Sequence, residues 1–550
     1  MEGNNKTIAL IGGGPSSFRV LKRIAERDME YSKTNISVIL IEKQDRLGVG
    51  LPYSRKTTDS EHRIAANETI TRLEKGDELE QRFHDAIDMA KRNGVSVQVK
   101  YESNVIDVQY GEKKKYVIKM DDYSSITADY VVLATGHWKN IPELSNSDKY
   151  VSNPWPVQDA LRKSKLSESV GIVGTSLTAI DIAISLANSR GEFVTTENGV
   201  VYKVHEDTPI CITMFSRSGM LPRVAGFGIT EGRGELEGSE KYDKYLTEDL
   251  AFSPAMGRVS NLLSYAYRRL CMDFLTTDAL DSLRNHFDEE LLFTGDFRRD
   301  MNIIKKAISK RSGVGQFYVD YELAKGSIKS KSYIPWQSLL WQKTDIFWWL
   351  FHLYSAEDRL VIDDYSYQTL CFVRPLNFYN ASRIKALIDA GILKVKKVSQ
   401  AYSVSEDSNG FSVFNGVYAG EDIEKEFFAG DTLIDCRGQS TNLENADDIL
   451  MKNLKRSGLI KSAYKLFEDS NEKYPLGGIH IDPYTLKVRP LFESSLKGNM
   501  YTLGPTTLGY YPIADGLHPL PRLALKIVDD IFRDINDESN TQAKKELYEY

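Results

Sequence analysis

The chain has no Cys-x-x-Cys pair. Its four cysteines, Cys211, Cys271, Cys371 and Cys436, are widely separated in 550 residues. That spacing argues against a dithiol redox centre and a cysteine-rich zinc site, and it fits a reduced, cytoplasmic compartment. Histidine is scarce as well. The eight histidines are scattered, with no His/Asp/Glu cluster at metal-ligand spacing, so no metal is expected. No apolar run reaches the roughly 20 residues of a membrane-spanning helix. The closest, IFWWLFHLY at 346–354, reads as a buried helix. A basic and then apolar leader is also missing at MEGNNKTIALIGGG, so no signal peptide is expected. Nor is positive charge in excess: 70 Lys and Arg against 77 Asp and Glu leave a net −7, which argues against broad nucleic-acid binding. Nothing assembles a Ser–His–Asp nucleophile.

What is present is a length that demands two or three domains and two similar glycine turns. The first is IALIGGGPSSF, residues 8–18. A strand-like run from Thr7 to Ile11 ends at Gly12, and Gly14 follows, with Ser17 where such turns carry a third glycine. Gly12 makes the tight turn, and Gly14 lets a pyrophosphate approach the backbone. Pro15 suits a first helical position, where its missing N–H costs nothing. Ser16 and Ser17 open the helix, and Phe18, Leu21, Ile24 and Ala25 recur at helical spacing. The free N–H groups of that helix end favour a phosphate. A second apolar strand, ISVILIE at 36–42, ends in Glu42, a carboxylate able to accept both hydroxyls of an adenosine ribose. One such motif is weak evidence; strand, turn, helix, strand and acid in order are strong.

The second turn is VGIVGTSLTAID, residues 170–181. Gly174 makes the turn, and Ser176 stands where a glycine usually permits close approach. Its hydroxyl can bond a phosphate, and its Cβ can also push one outward. The next strand, ICITMFS, leads to Arg217, placed to accept a 2′-phosphate with a planar fork. The alternative for Arg217 is a surface arginine in a turn. Downstream of each turn the pattern repeats. Residues 94–137 read as short strands, a hairpin and a strand ending at Thr135-Gly136. Residues 391–438 follow the same order to Gly438. A repeat of this length means duplicated domains. Between the copies, 239–365 is rich in helix formers and aromatics, including Trp336, Trp341, Trp348 and Trp349, whose commonest role is core packing.

Two fingerprints with ATG closing the first unit resemble the FAD/NAD(P)-binding flavoproteins. This family is related to N-hydroxylating and other class B flavin monooxygenases. Gly48-Val-Gly50-Leu-Pro52-Tyr53-Ser54, Asn67 in AANETI, GTSLTAID, SRSGMLPR and YTLGPTTLGYYPIADG carry the likeness over nearly the whole chain. The resemblance implies FAD over Gly12, Gly14 and Glu42, with the backbone of Val105 at the adenine. It implies Gly50, Tyr53 and Asn67 near the flavin or its ribityl chain, and Gly504 at the pyrimidine end. Loop packing is the alternative for Tyr53 and Asn67. NADPH is expected at the second turn.

The expected fold is α/β: two Rossmann-like dinucleotide-binding domains with β-meanders, plus an inserted helical region. The boundaries are 1–155 and 439–550 for the FAD-binding domain, 160–238 and 366–438 for the NAD(P)-binding domain, and 239–365 for the insertion. The expected function is an FAD-dependent, NADPH-consuming monooxygenase acting on a small substrate, an amine or amino acid. A flavin dehydrogenase or reductase without oxygen insertion, and an FAD-bound sensor with a degenerate second site, stand as alternatives. No catalytic residue can be named from the sequence, because a flavin carries the reactive chemistry itself.

Overall fold

The computed structural model describes residues 5–30, 35–64, 67–111, 115–142, 147–205, 209–229, 262–287, 291, 293–366, 372, 374–398, 402–407, 410–415, 425–491 and 498–548. The chain folds into two compact units. One comprises residues 1–54, 74–141 and 439–550; the other comprises 55–73 and 142–438.

The first unit is built on a five-stranded sheet in the order Met500–Thr502, Tyr130–Leu133, Lys6–Ile11, Ile36–Ile41, Ser96–Lys100. Every neighbouring pair is parallel, with Ile8 in register with Val38 on one side and Tyr130 on the other. A parallel sheet is covered on both faces, so its strands read as apolar runs rather than alternating ones. Ile8, Ala9 and Leu10 are accordingly fully buried. The helix Pro15–Glu30 follows the first strand and packs along the C-terminal helix Leu520–Tyr548, with Phe18, Leu21, Ile24 and Ala25 buried. A three-stranded antiparallel meander, Val105–Tyr110, Tyr116–Met120 and Ser125–Ala128, precedes the return strand Tyr130–Leu133.

The second unit repeats this plan. Its parallel sheet runs Tyr150–Val151, Thr432–Asp435, Ser169–Val173, Cys211–Ser216, Leu393–Lys397. Its meander is Tyr402–Asp407, Gly410–Asn415 and Lys425–Gly430, again ahead of the return strand. The two parallel sheets thus share one strand order: the return strand lies beside the glycine-turn strand, followed by the second and third strands. A hairpin, Gly191–Thr196 with Gly199–Val204, follows the second-turn helix, and the first unit carries a two-stranded antiparallel pair elsewhere, Ser462–Leu466 with Lys473–Ile479.

Within the expected insertion lie the helices Leu262–Leu275, Ala279–Phe287, Phe297–Ser309, Gly313–Ser330, Pro335–Trp349 and Ala356–Asp364. Residues 239–261 of that insertion, like Cys371, lie outside the described residues. Side-chain caps start three of the helices: Asp296, Ser312 and Ser355 accept the N–H groups of Arg299, Gly315 and Asp358. Trp336, Trp348 and Trp349 are buried there, as core packing requires. Among the described residues, no helix is long and apolar enough to cross a membrane.

Candidate functional site

The first glycine turn is fixed by packing. Gly12 has φ +99°, and a Cβ there would overlap the Ala134 carbonyl oxygen and lie 2.9 Å from its carbon. Its N–H donates to the Ile41 carbonyl at 2.8 Å, while Ser17 Oγ donates to the Gly12 carbonyl from the first turn of the helix. Gly13 draws in Glu42: its N–H donates to Glu42 Oε2 at 2.5 Å, and Gln44 N–H donates to Oε1 at 2.7 Å. Glu42 is therefore buried and pinned at the end of its strand, with further lone pairs on both oxygens. The role of Gly13 was hidden in the sequence, although three consecutive glycines mark the place.

Other segments of the first unit converge on this turn. Gly48 N–H donates to the Gly13 carbonyl at 2.7 Å, and a Cβ on Gly14 would lie 3.7 Å from Gly50 Cα. A Cβ on Gly504, at φ +83°, would sit 2.9 Å from Ser16 Oγ, so the C-terminal motif reaches the helix that Pro15 begins. Gly504 caps a short 3₁₀ turn, Pro505–Thr507; the last helix begins only at Leu520. Ser103 N–H donates to the Glu42 carbonyl at 2.9 Å, which places the strand beginning at Val105 beside the acid. Tyr53 is half-buried, with its carbonyl against Gly76. Asn67 belongs instead to the second unit, on the strand Asn67–Thr71.

Room for a bound dinucleotide can be judged directly. A Cβ on Gly136, at φ +74°, would meet nothing within 4 Å, and Gly14 faces space almost as open. Next to Gly136 in the chain, Thr135 Oγ1 is buried and finds no hydrogen-bond partner among the described residues. Open glycines and an uncommitted hydroxyl at the ends of parallel strands fit a pyrophosphate over a helix N-terminus. His137 follows, held below its ordinary pKa by burial, with the Asp515 carboxylate opposing the shift.

The second turn follows the same rules. Gly174 has φ +113°, and a Cβ would lie 2.9 Å from the Cys436 carbonyl oxygen on the return strand. Ser176 is the N-cap of Leu177–Asn188, with φ −92° and ψ −171°. That backbone is extended, so serine replaces glycine without strain. Its exposed side chain makes no capping bond. Thr175 Oγ1 donates to the Met220 carbonyl at 2.6 Å and lies 3.0 Å from Ser216 Oγ. Ser216 and Ser218 in turn accept the N–H groups of Gly219 and Met220 at 3.0 and 3.1 Å. These bonds explain SRSGM as a hydroxyl-braced turn that holds Arg217 exposed just past the strand end.

One polar network escaped the sequence reading. Asp181, on the second-turn helix, is buried and accepts from Arg72 Nη2 at 2.6 Å. Its backbone carbonyl and Ser185 Oγ face His62 Nε2 at 3.2 and 2.8 Å. These pairs anchor residues 55–73 to the helix from more than 100 positions away in sequence, a separation that no local pattern reveals. Among the described residues, no group of three or more His, Cys, Asp or Glu is placed to hold a metal ion.

Residues 6–210, which carry both turns, match the model of the pyridine nucleotide-disulphide oxidoreductase family. The match bears out the resemblance to FAD/NAD(P)-binding flavoproteins that the motifs carry. Over 257 residues the chain is 26% identical to the uncharacterized protein YdhS of Escherichia coli strain K12, covering 40% of this chain and 46% of that one. The chain therefore spans about half the length of that curated relative. Among solved structures it is similar to the ornithine hydroxylase PvdA of Pseudomonas aeruginosa, with 10% identity and a TM-score of 0.46 over 96% of this chain and 100% of that one. L-lysine 6-monooxygenase of Pseudomonas syringae gives 11%, 0.47, 96% and 99% for the same measures.

Proposed function

We propose that the protein is an NADPH-consuming, FAD-dependent monooxygenase that hydroxylates a small substrate, an amine or amino acid, in a cytoplasmic setting. The carrying observation is the pair of like turns, each at the end of a parallel strand and each opening a helix, the first with Gly14 and Gly136 facing open space and the second with Ser176 exposed, in a chain without a Cys-x-x-Cys pair. Such a dithiol is what a disulfide reductase would use to pass electrons on. In this reading Gly12, Gly14, Pro15, Ser16 and Ser17 cradle the FAD pyrophosphate, and Glu42 and Val105 hold its adenosine. Thr135, Gly136, Gly50, Tyr53 and Gly504 belong to the rest of that cofactor. Gly174 and Ser176 receive the NADPH pyrophosphate, and Arg217 its 2′-phosphate.

When bound, FAD supplies two-electron transfer from NADPH and reaction with oxygen; the protein supplies binding, orientation and exclusion of water. The stoichiometry is one NADPH and one O₂ per hydroxylated product, the second oxygen atom leaving as water. The test compares NADPH turnover with a panel of amines and amino acids in air and under nitrogen, using labelled oxygen gas. One labelled atom in the product supports the reading. Substrate conversion that proceeds equally without oxygen identifies a dehydrogenase or reductase and refutes it.

A further inference from the structure

The hydroxyl protons of the SRSGM turn can be assigned one by one. Thr175 Oγ1 donates to the Met220 carbonyl at 2.6 Å, a group that only accepts. Its 3.0 Å bond with Ser216 Oγ must then be donated by the serine, and the 3.0 Å bond between Ser216 and Ser218 by Ser218. The protons run from Ser218 to Ser216 to Thr175 to the carbonyl. Each hydroxyl spends its one proton inside the turn, and none remains for a phosphate held at Arg217. A phosphate monoester carries close to two negative charges at neutral pH, and one guanidinium matches only one of them. A second donor has to come from another element.

The neighbouring strand supplies it. Leu393–Lys397 runs parallel to Cys211–Ser216 with Lys397 in register with Ser216, and Val398 N–H donates to the Ser216 carbonyl at 3.0 Å. Gly219, at φ +64°, lets the turn close on this strand: a Cβ there would lie 2.8 Å from Lys397 Cβ and 3.0 Å from its Cα. Paired strands are about 4.8 Å apart and successive Cα atoms about 3.8 Å apart, so the Cα atoms of Arg217 and Lys397 are separated by no more than about 9 Å. Both side chains are exposed, and both leave the C-terminal ends of parallel strands, where folds of this kind take their nucleotides. Among the described residues, neither side chain makes a hydrogen bond or an ion pair. Two uncommitted cations this close repel each other, and an anion held between them turns that repulsion into attraction.

We propose that Lys397 is the second cation of the 2′-phosphate site and, with Arg217, sets the preference for NADPH over NADH. The inference rests on the reading of the second turn as an NADPH site. Full-length, FAD-loaded protein is titrated calorimetrically with NADP⁺ and NAD⁺, which differ only in the 2′-phosphate and leave the flavin oxidised. Lys397→Gln should weaken NADP⁺ about fivefold at low salt, the upper range for an exposed ion pair, and leave NAD⁺ unchanged. The loss should shrink as salt is added, and Lys397→Arg should restore binding. Lys394→Gln is the control for net charge. Lys394 is exposed on the same strand but pairs with Thr213, about 10 Å further from the turn, and its loss should change neither affinity. The role of Lys397 is overturned if Lys397→Gln binds NADP⁺ like the wild type, if it loses NAD⁺ equally, or if Lys394→Gln loses as much. The two readings fail differently. If Arg217→Ala lowers the preference for NADP⁺ and Lys397→Gln does not, Lys397 alone is excluded. If the wild type binds neither nucleotide, or binds both equally, the NADPH reading falls and Lys397 with it.

Discussion

Replacing Gly12 by alanine tests the physical basis of the first turn. The residue sits at φ +99°, where a side chain costs about 1–3 kcal/mol in backbone strain. The new Cβ would overlap the Ala134 carbonyl oxygen and lie 3.2 Å from Thr135 Cα. These are backbone atoms, so no side chain can rotate away. Relief would separate strand ends joined by Gly12 N–H to Ile41 and Ala134 N–H to Ile11, both at 2.8 Å. Overpacking of this kind adds about 1–3 kcal/mol, for a total of about 2–6 kcal/mol. Gly136→Ala is the control. Its φ is +74°, but its Cβ would meet nothing within 4 Å. Only the strain remains, about 1–2 kcal/mol, and the methyl group enters space assigned to FAD. The assay is urea unfolding by circular dichroism, with and without excess FAD, read in the transition that FAD shifts. Gly12→Ala should lower stability in both conditions, whereas Gly136→Ala should mainly lose the increment that FAD adds. If the two variants unfold at the same midpoint without FAD, packing against the return strand is not what fixes the turn.

Arg217→Ala should weaken NADPH more than NADH by about 1–3 kcal/mol, measured by titration of each; equal losses would remove Arg217 from the 2′-phosphate. Ser176→Gly should leave the melting temperature almost unchanged, because Ser176 is extended and its side chain caps nothing. Ser176→Leu should instead impair NADPH binding while leaving FAD content intact. Arg72→Ala should destabilise the second unit by about 1.5–3 kcal/mol, the worth of a hydrogen bond to a charged group, by stranding the buried Asp181. The double variant Arg72→Ala/Asp181→Ala should lose less than the sum of the two single losses in a denaturation cycle. Burial, against the pull of Asp181 and Asp59, holds the His62 imidazole below its ordinary 6.5. The unfolded chain then binds a proton that the folded chain refuses. The contribution of His62 is intact above 6.5 and is lost as the pH falls below it. His62→Gln should therefore flatten the acid side of the stability profile, and an unchanged slope would show that other groups set it.

The legible parts of the chain are those governed by local rules. Buried parallel strands read as apolar runs, and a turn that needs positive φ accepts glycine almost alone. Both strand–turn–helix units therefore stand out, as do their return strands at Gly136 and Gly438. The helix Gly313–Ser330 lies within the region expected to be helical, although Gly313, Gly315 and Gly326 dilute its own periodicity. A Cβ on Gly313 would overlap the Gly219 carbonyl, so that glycine serves close packing against SRSGM rather than helix propensity. Arg223 and Asp320 are 97 positions apart and His62 and Ser185 are 123 apart. Pairs made only by tertiary structure leave no periodic trace. Asn67 shows the same limit at the candidate site: sequence order sets it close to Tyr53, yet the chain crosses from one unit to the other between them.

The serine in the second turn now has a physical account. Two positions in such a turn ask different things of their residue. The first must tolerate positive φ and a backbone carbonyl at its Cα, as Gly12 does against Ala134 and Gly174 against Cys436. No other residue type meets both demands. The next must leave space for a phosphate, which is a demand made by the ligand and not by the backbone. Gly14 meets it with open surroundings, and Ser176 sits in extended geometry with its hydroxyl exposed and uncommitted. Ser176 therefore sits in the turn without backbone strain. A turn kept only as a relic of duplication would have no reason to retain an exposed arginine on a loop braced by four hydroxyl-mediated contacts at Thr175, Ser216 and Ser218. That bracing favours a second site still shaped to receive a phosphate.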